Sequence, residues 1–206
     1  MNNNQNGRSM IEMLGVLAII GVLSVGAIAG YQKAMFKYKL NKQAEQLNQI
    51  INSVAIKYKS FPKTDTYTRW TQTFVKLGDI PKEMIKANSN YIYDIFNTSI
   101  SITSSIEDTF NITLSLSLEG SDTESLEICK NVIRVAQQNS HILLYVSSVS
   151  NNEEEGGYNA KIFYGDKECN GNRICLRSIS LDNIYELCTY HTDKKNQHFK
   201  IEFLRS

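Results

Sequence analysis

The sequence is poor in proline and in unbalanced charge. Only two prolines occur in 206 residues, which excludes collagen-like and proline-rich architectures. The sequence has 22 basic and 21 acidic residues, which gives a net charge of +1. This balance argues against a dedicated nucleic-acid-binding protein, because such proteins carry a strong basic excess. An apolar content of 42% excludes a chain that is disordered as a whole.

Motifs typical of enzymes and metal sites are also missing. The sequence has no P-loop, GxSxG or HExxH motif, and its three histidines, His141, His191 and His198, are scattered. The cysteine spacings include no CxxC, which disfavours zinc. The acidic run Glu153–Glu155 lacks calcium-ligand spacing, so residues 151–157 are predicted to form a solvated loop. We therefore expect no enzymatic activity, no cofactor and no metal ion.

Charge is absent from the twenty residues Met13–Gln32. As a helix this run would be about 30 Å long, enough to cross the hydrocarbon core of a bilayer. It could be a cleaved signal sequence, since Ala27-Ile28-Ala29 fits the small-residue cleavage pattern. It could also be a plain membrane anchor, or a membrane helix that later becomes an assembly core.

Two features favour the assembly core. Glu12 lies at the edge of the run, where a carboxylate costs about 2.5–3.5 kcal/mol and usually has a partner. Arg8, one helical turn earlier, is the local alternative for that partner. Apolar residues then continue at helical spacing up to Pro62, which predicts one helix of about fifty residues from Ser9 to Ser60. This stripe consists of Phe36, Leu40, Ala44, Leu47, Ile51, Val54, Tyr58 and Phe61.

The N-terminal residues resemble a known family signature. Gly7-Arg8-Ser9-Met10-Ile11-Glu12, followed by MLGVLAIIGVLSVGAIAGY, is similar to the start of type IV prepilins. The resemblance implies a leader over residues 1–7, cut between Gly7 and Arg8 by a prepilin peptidase that also methylates the new N-terminus at Arg8. It further implies that Glu12 docks the subunit into a growing filament.

The rest of the chain resembles, more weakly, the type IVb branch that includes the toxin-coregulated pilin. The matching features are Phe74–Gly78, a helix carrying Cys129, and Leu187-Cys188 before a final strand. The implied fold is the α+β pilin fold, in which one long N-terminal helix packs on an antiparallel sheet with short helices. Residues 8–62 would form that helix, with 8–32 as membrane span and filament core and 33–62 against a head of residues 63–206.

Local patterns place further elements in the head. A helix is predicted over Tyr67–Leu77 and ended by Gly78, with another helical turn over Pro81–Ala87. Ser121 and Glu124 fit a capping box. Alternating or continuous apolar residues predict strands. The helix that follows this capping box is predicted over Asp122–Gln138. The predicted strands are Ile112–Leu118, Ile142–Val149, Ala160–Tyr164 and a closing strand Phe199–Leu204.

Four cysteines, all in the head, predict two disulfides if the chain is exported. Spacing alone leaves three connectivities open. The resemblance favours Cys129–Cys188, which leaves Cys169–Cys175 as a short loop that Gly171 makes feasible.

The charges are segregated along the chain. Residues 31–63 hold seven lysines and one acid, whereas residues 87–129 hold seven acids and no Lys or Arg. These regions are either solvated faces or surfaces that meet within or between subunits. Lys33, Lys37, Lys39 and Lys42 directly follow the apolar run, although the positive-inside rule prefers such cations on the cytoplasmic side.

The resemblance implies a structural subunit of a type IV (IVb-like) pilus. It would be an inner-membrane precursor, then part of an extracellular filament for adhesion, motility or uptake. Its partners would be prepilin peptidase, the inner-membrane pilus assembly machinery and other copies of the chain. The alternatives are a minor pilin or type II secretion pseudopilin, and, from another class, a secreted or membrane-anchored binding protein cleaved after Ala29. Glu12 argues against the tip-type pseudopilins that lack it.

Overall fold

A computed structural model describes residues 6–63, 66–104, 109–116, 123–152, 157–189 and 197–204. The chain divides into two compact units, Met1–Lys39 and Leu40–Ser206. The α+β class, with its long N-terminal helix and antiparallel sheet, is confirmed. The α-helices are α1 (Asn6–Lys57), α2 (Thr71–Lys76), α3 (Thr123–Gln138) and α4 (Leu181–Thr189), and the 3₁₀ turns are Tyr58–Ser60, Lys82–Met84 and Leu176–Ser178.

Seven strands form one sheet. Six of them lie in the order β1-β3-β4-β7-β5-β6, and the seventh, β2, pairs with the same edge of β3 as β1 does. All of these pairings are antiparallel. The last strand along the chain, β7, therefore lies in the middle of the sheet and not at its rim. The strands are β1 (Thr68–Arg69), β2 (Ile92–Tyr93), β3 (Ser99–Ser104), β4 (Thr109–Leu116), β5 (Tyr145–Asn152), β6 (Gly157–Tyr164) and β7 (Gln197–Leu204).

One face of the sheet carries the hydrophobic core. A single cross-strand row runs from β3 to β6 and is fully buried, and it consists of Ile102, Ile112, Ile201, Val146 and Phe163. The C-terminal part of α1 supplies four more fully buried side chains to the same core, Leu47, Ile50, Ile51 and Val54. Their spacing puts them on one helical face, so this part of α1 is held in the Leu40–Ser206 unit by apolar burial.

The structure corrects several predicted boundaries. α1 ends at Lys57, where a 3₁₀ turn replaces the α-helix before Pro62. The predicted helix from Tyr67 was wrong at its start, because Thr68 and Arg69 pair with β3. The predicted end of this helix at Gly78 was right, and Gly78 adopts a φ of +77°. The Gly78 N–H donates to the Val75 carbonyl, and the Asp79 N–H donates to the Phe74 carbonyl. These two hydrogen bonds form a Schellman motif.

Other differences concern the middle and the end of the head. The helical turn predicted within residues 81–87 is the 3₁₀ turn Lys82–Met84. The strand predicted from Ile142 begins instead at Tyr145, because Ile142 N–H closes a turn onto the Asn139 carbonyl. Strand β3 and helix α4 were not predicted. Asn151, Asn152 and Gly157 are strand residues, not loop. Leu118, the capping residue Ser121, Asp122 and Glu153–Glu155 lie outside the described residues.

Two disulfides are present, as predicted. Cys129–Cys188 joins α3 to α4 with a Cα–Cα distance of 5.8 Å, and both residues are buried. Cys169–Cys175 closes a six-residue separation with a Cα–Cα distance of 5.4 Å. The first bridge links two helices distant in sequence, whereas the second restrains only its own loop.

We expect Cys129→Ala/Cys188→Ala to destabilise the head far more than Cys169→Ala/Cys175→Ala. The chain-entropy model gives about 4 kcal/mol for a 59-residue loop and about 2 kcal/mol for a six-residue one. Urea unfolding of each double variant, followed by circular dichroism, measures the two losses. Equal losses would show that the long bridge does not restrain the unfolded chain as this model requires.

Candidate functional site

The N-terminal part of α1 presents an apolar surface that its own unit leaves uncovered. Twelve large apolar side chains between Met10 and Ile28 are 52–74% exposed. This helix is long and apolar enough to cross a membrane. Each such side chain gains about 1.5–3 kcal/mol on full burial, so the segment requires a lipid or protein environment. The apolar helix suggests membrane insertion or a signal, and the disulfides suggest an extracellular or periplasmic head.

The residues of the predicted processing and docking site all lie on α1. Gly7, Arg8 and Glu12 are helical, so Arg8 and Glu12 are one turn apart. The Glu12 side chain is exposed, and it forms no ion pair among the described side chains. The helix thus presents a single carboxylate at the edge of its apolar surface, while the Arg8 side chain lies outside the described set.

Four glycines lie along the same apolar part of α1. A Cβ added at Gly15, Gly21, Gly26 or Gly30 would meet nothing within 4 Å. Packing inside the chain therefore gives no reason for these glycines, each of which costs a helix about 0.8–1 kcal/mol relative to alanine. Small residues on a membrane helix do allow a second helix to approach closely.

Within the Leu40–Ser206 unit, a buried polar cluster holds the helix to the head. Gln43 Nε2 donates to Asp94 Oδ2 at 2.6 Å, and Asp94 Oδ1 accepts from the backbone N–H groups of Phe96 (2.9 Å) and Thr98 (2.7 Å). Gln43 Oε1 in turn accepts from Asn131 Nδ2 of α3 at 2.9 Å. The cluster ties α1 to the β2–β3 turn and to α3 in one hydrogen-bonded chain.

Two further bonds extend this cluster along α1. Asn131 Nδ2 also donates to the Leu40 carbonyl at 2.8 Å, and Gln46 Oε1 accepts from Ile95 N–H at 3.1 Å. Apolar contacts alone tolerate small slips of a helix along a core, whereas directional bonds from Leu40, Gln43 and Gln46 define one register.

Asp94 is the titratable centre of the cluster and is only 6% exposed. Burial raises the pKa of its carboxyl group, an effect that the hydrogen bonds from Gln43 and from the backbone of Thr98 and Phe96 partly oppose. The ionised carboxylate is therefore tolerated in the fold at a cost in stability.

Two lysines of the basic region 31–63 form ion pairs within the Leu40–Ser206 unit. Lys42 pairs with Glu45 and Glu83, each at 3.2 Å, and Lys57 pairs with Asp79 at 2.5 Å. These acids all lie outside the acidic region 87–129. The hydrogen bond between Gln43 and Asp94 is a polar contact between the two regions, and its α1 partner is an amide, not a lysine.

Among the described residues no group of three His, Cys, Asp or Glu could hold a metal ion. One surface pocket is lined by Asp166, Arg177 and the Cys169–Cys175 bridge, and another lies between α3 and α4 beside Arg134 and Tyr185.

No protein-family model, no curated protein and no solved structure matches this chain. The signature residues and the geometry of α1 therefore carry the functional interpretation.

Sequence reasoning found the exposed span and its carboxylate but missed the buried cluster. Gln43 and Gln46 are 0% and 2% exposed, and each lies one position before an apolar residue of the predicted stripe, Ala44 or Leu47. Asp94 accepts the N–H two residues on, which is an Asx turn. The sequence Asp94-Ile95-Phe96-Asn97 is a recognisable turn signal, but nothing in it indicates that α1 is the other partner.

We expect Asp94→Asn to alter how stability depends on pH. The folded-state pKa is raised, so the folded protein binds more protons than the unfolded chain between the unfolded and folded pKa values. The contribution of Asp94 to stability is therefore greatest below this window and falls as pH rises through it. Relative to the variant, the wild type should lose unfolding free energy as the pH rises above about 4, the ordinary pKa of an aspartate carboxyl group.

Urea unfolding at several pH values measures this difference. Asp182→Asn, which removes an exposed carboxylate on α4, controls for the loss of one charge. A wild-type–variant difference that stays constant across the range would show that burial does not govern Asp94.

Proposed function

We propose that this chain is a structural subunit of a type IVb-like pilus, made as an inner-membrane precursor and polymerised through α1 into an extracellular filament. The observation that carries the proposal is the uncharged, exposed apolar surface of α1 with Glu12 at its edge. This surface needs two successive environments, a bilayer before assembly and other copies of the same helix afterwards. The resemblance of about residues 7–35 to prepilins supports the same order of events.

In such a filament Glu12 would act through its charge. Helices packed at a filament centre form a medium of low dielectric constant, in which an unpaired carboxylate is strongly unfavourable. Cleavage between Gly7 and Arg8 creates an α-amine, and in a neighbouring subunit that amine is a cation near the start of the same helix. A correctly docked subunit pairs the two groups, and a misdocked one buries an unpaired charge.

The head supports this role by holding its section of α1 firmly. Apolar burial of Leu47 to Val54 resists separation of that section, and the bonds of Gln43 and Gln46 resist its sliding or rotation. A subunit that bears load through one helix needs both kinds of restraint.

The first test is the mature N-terminus. We expect the cell-surface chain to begin at Arg8 with one N-terminal methyl group, as measured by mass spectrometry of the N-terminal peptide. Gly7→Ala should leave the precursor uncut in the membrane, whereas Gly15→Ala, a matched change inside the span, should be processed normally. A mature chain that begins at Gly30 would instead identify the secreted protein cleaved after Ala29.

The second test concerns Glu12. Its carboxylate becomes important only when the helix lies among other subunits, so Glu12→Gln should leave membrane insertion and head folding unchanged while filament yield falls at least tenfold. Glu45→Gln, on an exposed site of the same helix, is the control. Sheared-filament yield and immunoblots of the membrane fraction measure both quantities.

Normal filaments from Glu12→Gln would show that this carboxylate is only the local partner of Arg8. If filaments are lost from both variants, the defect does not lie in a docking carboxylate.

A further inference from the structure

A collar of exposed polar side chains surrounds α1 where its apolar span ends. It consists of Tyr31, Lys33, Lys37, Tyr38 and Lys39, all exposed and all within the Met1–Lys39 unit. None of the three lysines forms an ion pair among the side chains that the structure describes. By contrast, Lys42, Lys57 and Lys130 each lie 2.5–3.2 Å from a carboxylate.

The three collar lysines extend over a height slightly greater than that of a lipid headgroup layer. Six residue steps separate Lys33 from Lys39, about 9 Å along the helix. The polar layer on each side of a bilayer is roughly 5–8 Å thick, given a core of about 30 Å within a total of about 40–45 Å. Since the uncharged run ends at Gln32, a membrane whose core covers this run places the three lysines at headgroup level and Tyr31 at the edge of the core.

The lysines also point in different directions. At about 100° per residue, Lys33 and Lys37 are about 40° apart around the axis, while Lys39 is about 160° from Lys37. A flat protein partner would contact one side of a helix. Lipid headgroups surround it, and their phosphates offer an anion in every direction. Tyr31 and Tyr38, 66% and 56% exposed, have the amphipathic character of residues enriched at membrane interfaces.

We propose that this collar binds the phosphates of anionic phospholipids in the leaflet that faces the exported head. The inference rests on the proposed function for its orientation: with the N-terminus in the cytoplasm, the lysines lie on the side that the positive-inside rule disfavours, so topology gives no reason for them. Electrostatic binding of lipid headgroups does give a reason for these lysines, because this binding holds the unassembled subunit at a fixed depth in the membrane.

The test uses the full chain, unpolymerised, in phosphatidylcholine vesicles that contain trace spin-labelled phosphatidylglycerol or spin-labelled phosphatidylcholine. The relative association constant of the two lipids is read from the motionally restricted spectral component. We expect the wild type to prefer phosphatidylglycerol. In the variant Lys33→Gln/Lys37→Gln/Lys39→Gln, the association constant of phosphatidylglycerol relative to phosphatidylcholine should fall about fivefold or more at low salt.

The control variant Lys76→Gln/Lys82→Gln/Lys167→Gln removes the same charge from three exposed lysines of the head and should keep the preference. Chloride and inorganic phosphate at equal ionic strength should weaken it equally. Stronger displacement by phosphate would show a site for a free anion, and an equal preference in both triple variants would show that the collar does not bind lipid. Either result overturns the proposal.

Filament yield of the same variants separates this inference from the proposed function. Lipid preference without filaments in the wild type would support the collar and reject the pilus subunit. Filaments without lipid preference would reject the collar alone. A collar variant that keeps lipid preference but loses filaments would assign the lysines to carboxylates of a neighbouring copy, which also overturns the proposal.

Discussion

The uncovered apolar surface of α1 is the constraint on which the other features depend. Twelve large apolar side chains, each more than half exposed, are unfavourable in water, so this segment fits membrane insertion, a signal sequence or burial in an assembly. This constraint accounts for Glu12 and the glycines. In a simple membrane anchor the carboxylate costs insertion free energy and each glycine costs helix stability. Among packed helices the carboxylate can pair with a cation, and the glycines allow close approach. The head is then the part that must fold independently of both environments.

That independence explains why the head contains several kinds of restraint. Its helical section contributes to the core through Leu47, Ile50, Ile51 and Val54, yet its register depends on Gln43, Gln46 and Asp94. Apolar burial is strong but non-directional, whereas hydrogen bonds in a dry environment are weak in net energy but demanding in geometry. The Cys129–Cys188 bridge adds a third restraint away from α1, where α3 meets α4.

Much of this architecture could be predicted because it follows from local periodicity. The 3.6-residue spacing of apolar residues predicted α1, and alternation predicted β4 and β7. Strand β3, Ser99–Ser104, was missed because serine and threonine mask its apolar residues Ile100 and Ile102, and its burial comes from pairing with β4. The Asp94 cluster joins residues 51 positions apart, and no local pattern encodes such a contact. The proposed processing residues were visible only through a family resemblance, because the proposed cleavage would be performed by another protein.

The central position of β7 imposes an order on the folding of the sheet. Strands β3 and β4 can pair early, and so can β5 and β6, but the two halves meet only through residues 197–204. Until that segment pairs with both halves, β4 and β5 each present an unpaired edge, which is a template for association with other chains. The contacts that close the sheet are also long-range and therefore slow to form. A chain synthesised from its N-terminus therefore passes through a stage with two incomplete half-sheets, and this stage ends only when residues 197–204 join them.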